Sequence, residues 1–199
     1  MTRADKPVRI GMLGCGVVGS EVARLLLADT EELSTRAGVK IELSRIAVRT
    51  IKDYPGINPA IFTTDPFSIV NDPEIDLIVE VMGGIEPANE LAHLAIKNRK
   101  SIVTANKALL ASHGAELFTA AYAQGEDIYY EASVAGAIPI IRPLRDSLVG
   151  DFVIRVMGIV NGTTNYILTK MHEDNKEFAV ALKEAQDLGY AEADPTADV

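Results

Sequence analysis

The chain of 199 residues has a single cysteine, no run of basic residues and no long hydrophobic segment. One cysteine, Cys15, excludes an internal disulfide and is typical of a reducing compartment. The formal net charge of −9 argues against a nucleic-acid binder, because such proteins usually present a basic face. A membrane span needs about 18 consecutive apolar residues, and a signal peptide needs an apolar core that residues 1–7 lack. We therefore expect a soluble, cytoplasmic protein that binds neither nucleic acid nor membrane.

The hydrophobic content of 48%, beside 24% charged residues, is enough for the core of one large or two small globular domains. Up to about residue 132, short apolar stretches alternate with segments of helical spacing. Strands are predicted at residues 8–13, 40–48, 76–82, 101–104 and 127–131, and helices at 17–34, from 66, at 87–98 and at 112–124. Asp65 is expected to cap the helix from residue 66, and Ser112 the helix at 112–124, which Gly125 should end. This order predicts an α/β fold with a doubly wound parallel sheet, the Rossmann arrangement that binds NAD(P).

The composition changes near residue 132, where small apolar residues follow one another. We place a domain boundary there, with an NAD(P)-binding domain at residues 1–132 and the start of a second, α+β domain at residues 133–199. In the second part we predict a helix at residues 139–149, a long alternating strand at 152–160, and helices at 166–172 and 178–188.

A glycine-rich turn follows the first predicted strand. Gly14, Gly16 and Gly19 have the G-x-G-x-x-G spacing, in which the first glycine permits a tight turn, the second admits a pyrophosphate and the third lets helix and strand pack. The following helix directs its N-terminal N–H groups at the phosphates. Because a strand precedes the turn and a helix follows it, we favour dinucleotide binding over an ordinary turn. The predicted cofactor contacts here are Gly14, Cys15, Gly16, Val17, Val18 and Gly19.

The end of the second predicted strand carries the residue that meets the adenosine ribose. An acidic residue there favours NAD, whereas an arginine accommodates the 2′-phosphate of NADP. The chain offers Arg49, followed by Thr50 and Lys52, with no carboxylate before Asp53. We therefore predict NADP, although NAD and an ordinary loop arginine remain open. Gly83, past the end of the third predicted strand, is also expected to border the cofactor.

Lys107 stands just past the strand predicted at residues 101–104. From that place a lysine can reach a nicotinamide or a substrate carbonyl. The alternative is a solvated surface lysine, which is the commoner case.

Five segments, in this order along the chain, together resemble the homoserine dehydrogenase family. They are Gly14-Cys15-Gly16-Val17-Val18-Gly19, Thr104-Ala105-Asn106-Lys107, Glu131-Ala132-Ser133-Val134-Ala135-Gly136-Ala137-Ile138-Pro139, Asn161-Gly162-Thr163-Thr164-Asn165-Tyr166-Ile167-Leu168 and Gly189-Tyr190-Ala191-Glu192-Ala193-Asp194-Pro195. The resemblance covers nearly the whole chain. The first segment is shared by many dehydrogenases, and the last two are specific.

The resemblance implies an NADP-dependent oxidoreductase that interconverts L-homoserine and L-aspartate 4-semialdehyde, a step toward threonine, methionine and isoleucine. Lys107 matches the family lysine at the junction of cofactor and substrate, and it would be the catalytic residue. Glu192 matches the glutamate that binds the substrate. Asn161, Gly162 and Thr163 lie in the segment that the family uses to bind substrate.

The resemblance also implies a monovalent cation such as Na⁺, held largely through backbone carbonyls. The matching residues are Glu131, Val134, Gly136 and Ile138. Residues 133–199 would begin the substrate and dimerisation domain, and the full-length protein would be a homodimer.

The sequence ends at Val199, inside the last matching segment. In the family a glycine, an aspartate and a second lysine follow, and that lysine is the preferred proton donor. The resemblance therefore implies a fragment that keeps part or all of the cofactor site and lacks efficient turnover. Another Rossmann amino-acid or semialdehyde dehydrogenase, and a non-catalytic dinucleotide-binding module, remain alternatives.

Overall fold

A six-stranded parallel sheet forms the centre of the first part of the chain. The computed structural model describes residues 6–136 and 138–191. The strands are β1 (Val8–Leu13), β2 (Ile41–Ala47), β3 (Phe62–Thr63), β4 (Leu77–Glu80), β5 (Ser101–Thr104) and β6 (Ile128–Tyr129). Their spatial order is β3-β2-β1-β4-β5-β6, which confirms the predicted doubly wound sheet and adds β3, a strand that the sequence did not predict. The order reverses between β1 and β4, and such a reversal places the ligand crevice at the carboxyl ends of these strands.

Both faces of the sheet are covered. Met12 and Leu13 are neighbours on β1, and both are fully buried, but they pack into different hydrophobic clusters. Ile78 and Val79 on β4 divide in the same way. This explains the continuous apolar run of Leu77, Ile78 and Val79 in β4, because a strand covered on both faces buries successive side chains.

Helices connect the strands and follow them. They are α1 (Val17–Ala28), α2 (Thr30–Ala37), α3 (Pro66–Val70), α4 (Ala88–Lys97), α5 (Lys107–Gln124), α6 (Gly162–Glu173) and α7 (Phe178–Asp187). The prediction of one helix over residues 17–34 is wrong, because α1 ends at Ala28 and α2 begins at Thr30, with Asp29 capping both helices. The Thr30 hydroxyl donates to the Leu26 carbonyl at 2.5 Å and takes up an acceptor at the end of α1.

The start of α5 also differs from the prediction. Ser112 was expected to cap this helix, but α5 begins five residues earlier in the chain, at Lys107, and Asn106 caps it through a bond from the Leu109 N–H to its Oδ1 at 3.1 Å. At the other end, Gly125 adopts a left-handed conformation (φ 71°) and closes the helix as predicted. The early start brings Lys107 into the first turn of the helix.

The chain divides into two compact units, Met1–Ser147 and Leu148–Val199. This division falls later than residue 132, and the functional boundary remains a prediction. In the first unit, the helix expected at residues 139–149 is reduced to a short segment that includes the π-helical turn Pro143–Ser147. None of the helices in the described ranges combines the length and the hydrophobicity that a membrane span requires.

In the second unit, α6 and α7 pack around Ile167, Ala181, Ala185 and Ala191. The strand expected at residues 152–160 is not formed within the described part of the chain. Phe152, Ile154 and Val160 are at least 95% exposed. A strand requires a hydrogen-bonding neighbour, and the described residues provide none for this segment.

Candidate functional site

The turn between β1 and α1 needs glycine at two positions for steric reasons. Gly14 has a φ of +101°, and a Cβ there would lie 2.7 Å from the Val81 carbonyl oxygen. A Cβ on Gly19 would lie 2.6 Å from the Gly14 carbonyl oxygen. At Gly16, by contrast, a Cβ would have no described atom within 4 Å, so this position opens into free space. The turn therefore packs tightly on two sides and leaves a third side accessible to a ligand.

The N-terminus of α1 faces the same turn. Gly16 is its capping residue, and no side chain among the described residues caps it. The first N–H groups of α1 are therefore available, and together with the helix dipole they favour an anionic group. Cys15 is buried here, and desolvation raises the pKa of its thiol, which fits a packing residue rather than a reactive one.

A cleft of about 730 Å³ lies at the carboxyl ends of β1, β2 and β4. It brings together the predicted cofactor residues Gly14, Cys15, Gly16, Arg49 and Gly83. Val17 and Val18 start α1 and are 92% and 56% exposed, but they do not line the cleft. The cleft also contains residues that were not assigned to the site from sequence, among them Lys52, Tyr54, Thr64, Glu86 and Pro87. Little in the sequence indicated these residues, because turn-rich loops such as residues 53–59 contain no motif whose spacing identifies a cofactor contact.

Tyr54 is held at the cleft by an aromatic contact. Its ring stacks on Phe62 of β3, with centroids 4.6 Å apart and an interplanar angle of 14°. Arg49 and Lys52 supply two cationic side chains to the same wall. This wall lies past the end of β2, where the ribose of a dinucleotide is bound in doubly wound folds.

Lys107 is the exposed first residue of α5. The residue before it, Asn106, is buried and belongs to a polar network with Glu80 and Thr104 at the ends of β4 and β5. Sequence reasoning did not assign Glu80, Thr104 or Asn106 to the site. The available signal was Glu80 itself, a carboxylate inside an otherwise apolar strand.

The Glu131 carboxylate is held by backbone donors. It accepts N–H bonds from Ile140, Ile141 and Arg142 at 2.6, 3.0 and 2.8 Å. Desolvation raises the pKa of Glu131, but these bonds and the Arg142 charge outweigh it, so the pKa lies below its ordinary value. Nearby, Ala135 and Gly136 both have positive φ values, of 57° and 60°.

The residues around Glu131 can hold a cation only with help from backbone carbonyls. Three acceptor positions of the carboxylate are already used, and no group of three or more His, Cys, Asp or Glu side chains in the described residues could bind a metal. The ligand set Glu131, Val134, Gly136 and Ile138 therefore remains a prediction.

The predicted substrate residues Asn161, Gly162 and Thr163 belong to the second unit. Asn161 caps α6 by accepting the Thr164 N–H at 2.8 Å, and Gly162 is the first residue of that helix. Thr163 is buried, and its hydroxyl donates to the Tyr190 carbonyl at 2.6 Å. This bond anchors the chain just before Glu192, which itself lies outside the described residues.

The parallel sheet, the glycine turn and the cleft at the strand-order reversal define a dinucleotide-binding protein of the Rossmann type. The family model for the homoserine dehydrogenase NAD-binding domain matches residues 14–131, and the model for homoserine dehydrogenase matches residues 139–199. The chain belongs to the homoserine dehydrogenase family.

Individual relatives agree with this assignment. The chain is 52% identical to a homoserine dehydrogenase of Corynebacterium glutamicum, over 96% of this chain and 43% of that protein. A crystal structure of a homoserine dehydrogenase from Thiobacillus denitrificans matches with a TM-score of 0.84 and 47% identity, covering 98% of this chain and 46% of that one. A hyperthermophilic archaeal homoserine dehydrogenase in complex with NADPH matches with a TM-score of 0.79 and 27% identity, over 97% of this chain and 65% of that one. The chain thus spans about half the length of the curated relatives it matches.

Proposed function

We propose that the chain is the cofactor-binding part, with the start of the substrate-binding part, of an NADP-dependent homoserine dehydrogenase. The reaction interconverts L-homoserine and L-aspartate 4-semialdehyde, and it serves the synthesis of threonine, methionine and isoleucine. The observation that carries the proposal is the cleft that joins Gly14, Gly16 and Arg49 in a member of this family.

The residues of the cleft fit both the pyrophosphate and the 2′-phosphate of NADP. The open side of Gly16 and the free N–H groups of α1 suit a pyrophosphate. Arg49 and Lys52 suit a 2′-phosphate, which supports NADP over NAD, and NADPH is the cofactor in the archaeal relative's complex.

The bound nicotinamide supplies hydride chemistry at its C4, toward or from the carbon that carries the substrate hydroxyl. We assign Lys107 a catalytic role at the junction of cofactor and substrate, because its ammonium can stabilise the negative charge of the developing alkoxide. Glu192 would bind the substrate amino group, with Thr163 anchoring the adjacent chain. We also propose that a Na⁺ ion binds near Glu131, that the full-length protein is a homodimer and that it is located in the cytoplasm.

The full-length protein, incubated with L-homoserine and NADP⁺, is expected to form NADPH, which absorbance measures directly. Absence of turnover under these conditions would contradict the proposed reaction. The present chain is expected to bind NADPH in calorimetry.

Substrate assignment is tested by substituting Glu192→Gln in the full-length protein. L-homoserine should raise the melting temperature of the wild type, and the substitution should abolish this protection because the amino group loses its carboxylate partner. NADPH binding should be unchanged. Glu173→Gln, an exposed carboxylate on α6, is the matched control and should keep the protection. Equal protection of the Glu192→Gln variant would refute this assignment.

A further inference from the structure

Glu80 is a buried carboxylate at the carboxyl end of β4. It is 1% exposed, and within the described residues no lysine, arginine or histidine forms an ion pair with it. Burying a carboxylate without a cation disfavours folding unless its oxygens are hydrogen-bonded. Natural chains keep such groups mainly where function requires them.

Three donors converge on this carboxylate. The Met82 N–H donates to Oε1 at 2.9 Å, and the Thr104 hydroxyl donates to Oε2 at 2.6 Å. The Asn106 side-chain amide also donates to Oε1, at 3.4 Å. Both carboxylate oxygens of Glu80 therefore serve as hydrogen-bond acceptors.

Thr104 and Asn106 transmit this geometry to the start of α5. The Asn106 backbone N–H donates to the Thr104 hydroxyl oxygen at 3.0 Å, so that hydroxyl must direct its proton at Glu80. The Asn106 side chain accepts the Leu109 N–H and donates to the Gly84 carbonyl at 2.6 Å. Asn106 is therefore fixed on several sides, and Lys107 is the next residue.

We propose that Glu80 is a positioning residue that holds Lys107 in a fixed position relative to the cleft wall at Met82 and Gly83. The proposal rests on the proposed function, because Lys107 is given its role there. One carboxylate bonds to the wall through the Met82 N–H and to the first turn of α5 through Thr104 and Asn106. A misplacement of about 1 Å in a reacting group can lower a rate a hundredfold.

The test uses the full-length protein and the variant Glu80→Gln, which keeps the side-chain shape and replaces one acceptor oxygen by a donor amide facing Thr104. We expect kcat for homoserine oxidation to fall at least about tenfold, with KM for homoserine within about threefold of the wild type. Lys100→Met is the matched control. Lys100 is a buried charge at the opposite end of β5, so its loss should destabilise the fold and leave kcat of the folded protein unchanged.

A second pair of variants decides the matter even where Glu80→Gln does not fold. Thr104→Val keeps the shape without the hydroxyl and should reproduce the loss of kcat, whereas Thr104→Ser keeps the hydroxyl and should retain most of the activity. A kcat within about threefold of the wild type in both Glu80→Gln and Thr104→Val would overturn the proposal. It would also be overturned if Lys100→Met, at a similar loss of stability, lost as much kcat as these two variants. If the wild type itself does not oxidise homoserine, the proposed function fails instead, so the two failures are distinguishable.

Discussion

At the residue scale, the glycines of the β1–α1 turn have different reasons to be glycine. Gly14 and Gly19 are fixed by neighbouring backbone atoms at 2.7 and 2.6 Å from a notional Cβ, so they serve the fold. Gly16 meets nothing within 4 Å among the described atoms, so packing does not require glycine there, whereas close approach of a pyrophosphate would. The motif spacing predicts all three glycines, but only the structure distinguishes the two that packing requires from the one that leaves room for a ligand.

Arg49 is the residue on which the proposed cofactor preference depends. Arg49→Ala should weaken NADPH binding about ten- to a hundredfold, since a charge-assisted bond to a phosphate contributes about 1.5–3 kcal/mol. NADH binding should hardly change, because NADH has no 2′-phosphate. The measurement is the pair of dissociation constants by calorimetry.

Arg24→Ala is the control for the change in net charge, since Arg24 lies on α1 outside the cleft and pairs with Glu21. It should leave both dissociation constants as they are. An unchanged ratio of the two constants in Arg49→Ala would mean that the 2′-phosphate is recognised elsewhere, with Lys52 as the next candidate.

At the scale of elements, a buried lysine stabilises the end of the sheet opposite the cleft. Lys100 is 3% exposed, and its ammonium donates to the carbonyls of Asp72 and Ile75 at 2.6 and 2.5 Å. Lys100→Met should lower the free energy of unfolding by about 2–4 kcal/mol, because two carbonyls lose their donor. Urea denaturation measures this difference.

The contribution of Lys100 to stability should also depend on pH. Desolvation lowers the pKa of Lys100 below its ordinary value of 10.5 in the folded protein. Between the folded and unfolded pKa values the unfolded chain binds the additional proton, so stability rises with pH through this window and is complete above 10.5. The difference in unfolding free energy between wild type and Lys100→Met should therefore grow from neutral to alkaline pH. A constant difference would contradict the lowered pKa.

Sequence patterns predict elements well where local signals and burial agree. β5 was predicted to the residue, β2 to within one residue at each end, and the Asp65 cap of α3 is confirmed by bonds from the Phe67 and Ser68 N–H groups. The predicted start of α5 was wrong because the sequence offers two good capping residues. The choice of Asn106 over Ser112 depends on the buried hydrogen-bond network of Asn106 with Glu80 and Thr104. That network joins residues 24 and 26 positions apart, a separation that no local pattern records.

At the scale of the whole molecule, residues 152–160 have the pattern of a strand but lack a partner in the described structure. We expect them to pair as a strand in the full-length protein, with Phe152, Ile154 and Val156 on its apolar face. Ile154→Asp should then leave the melting temperature of the present chain nearly unchanged, because Ile154 is 95% exposed. In the full-length protein it should cost about 2–4 kcal/mol by burying a carboxylate.

Tyr122→Asp is the control for this comparison, since Tyr122 on α5 is 90% exposed. It should affect both proteins only slightly. Equal small effects of Ile154→Asp in both proteins, measured by thermal denaturation, would mean that residues 152–160 stay uncovered. Light scattering of the full-length protein reports separately on the proposed homodimer.

The exposed segment at residues 152–160 has a further consequence, for the life of this polypeptide in a cell. Apolar side chains on a backbone that has no partner among the described residues attract other extended chains, so the segment is a site for self-association and for binding by general chaperones. The segment would bind chaperones only until a neighbouring strand covers it. The yield of soluble protein should accordingly depend more on these nine positions than on the sheet that binds the cofactor.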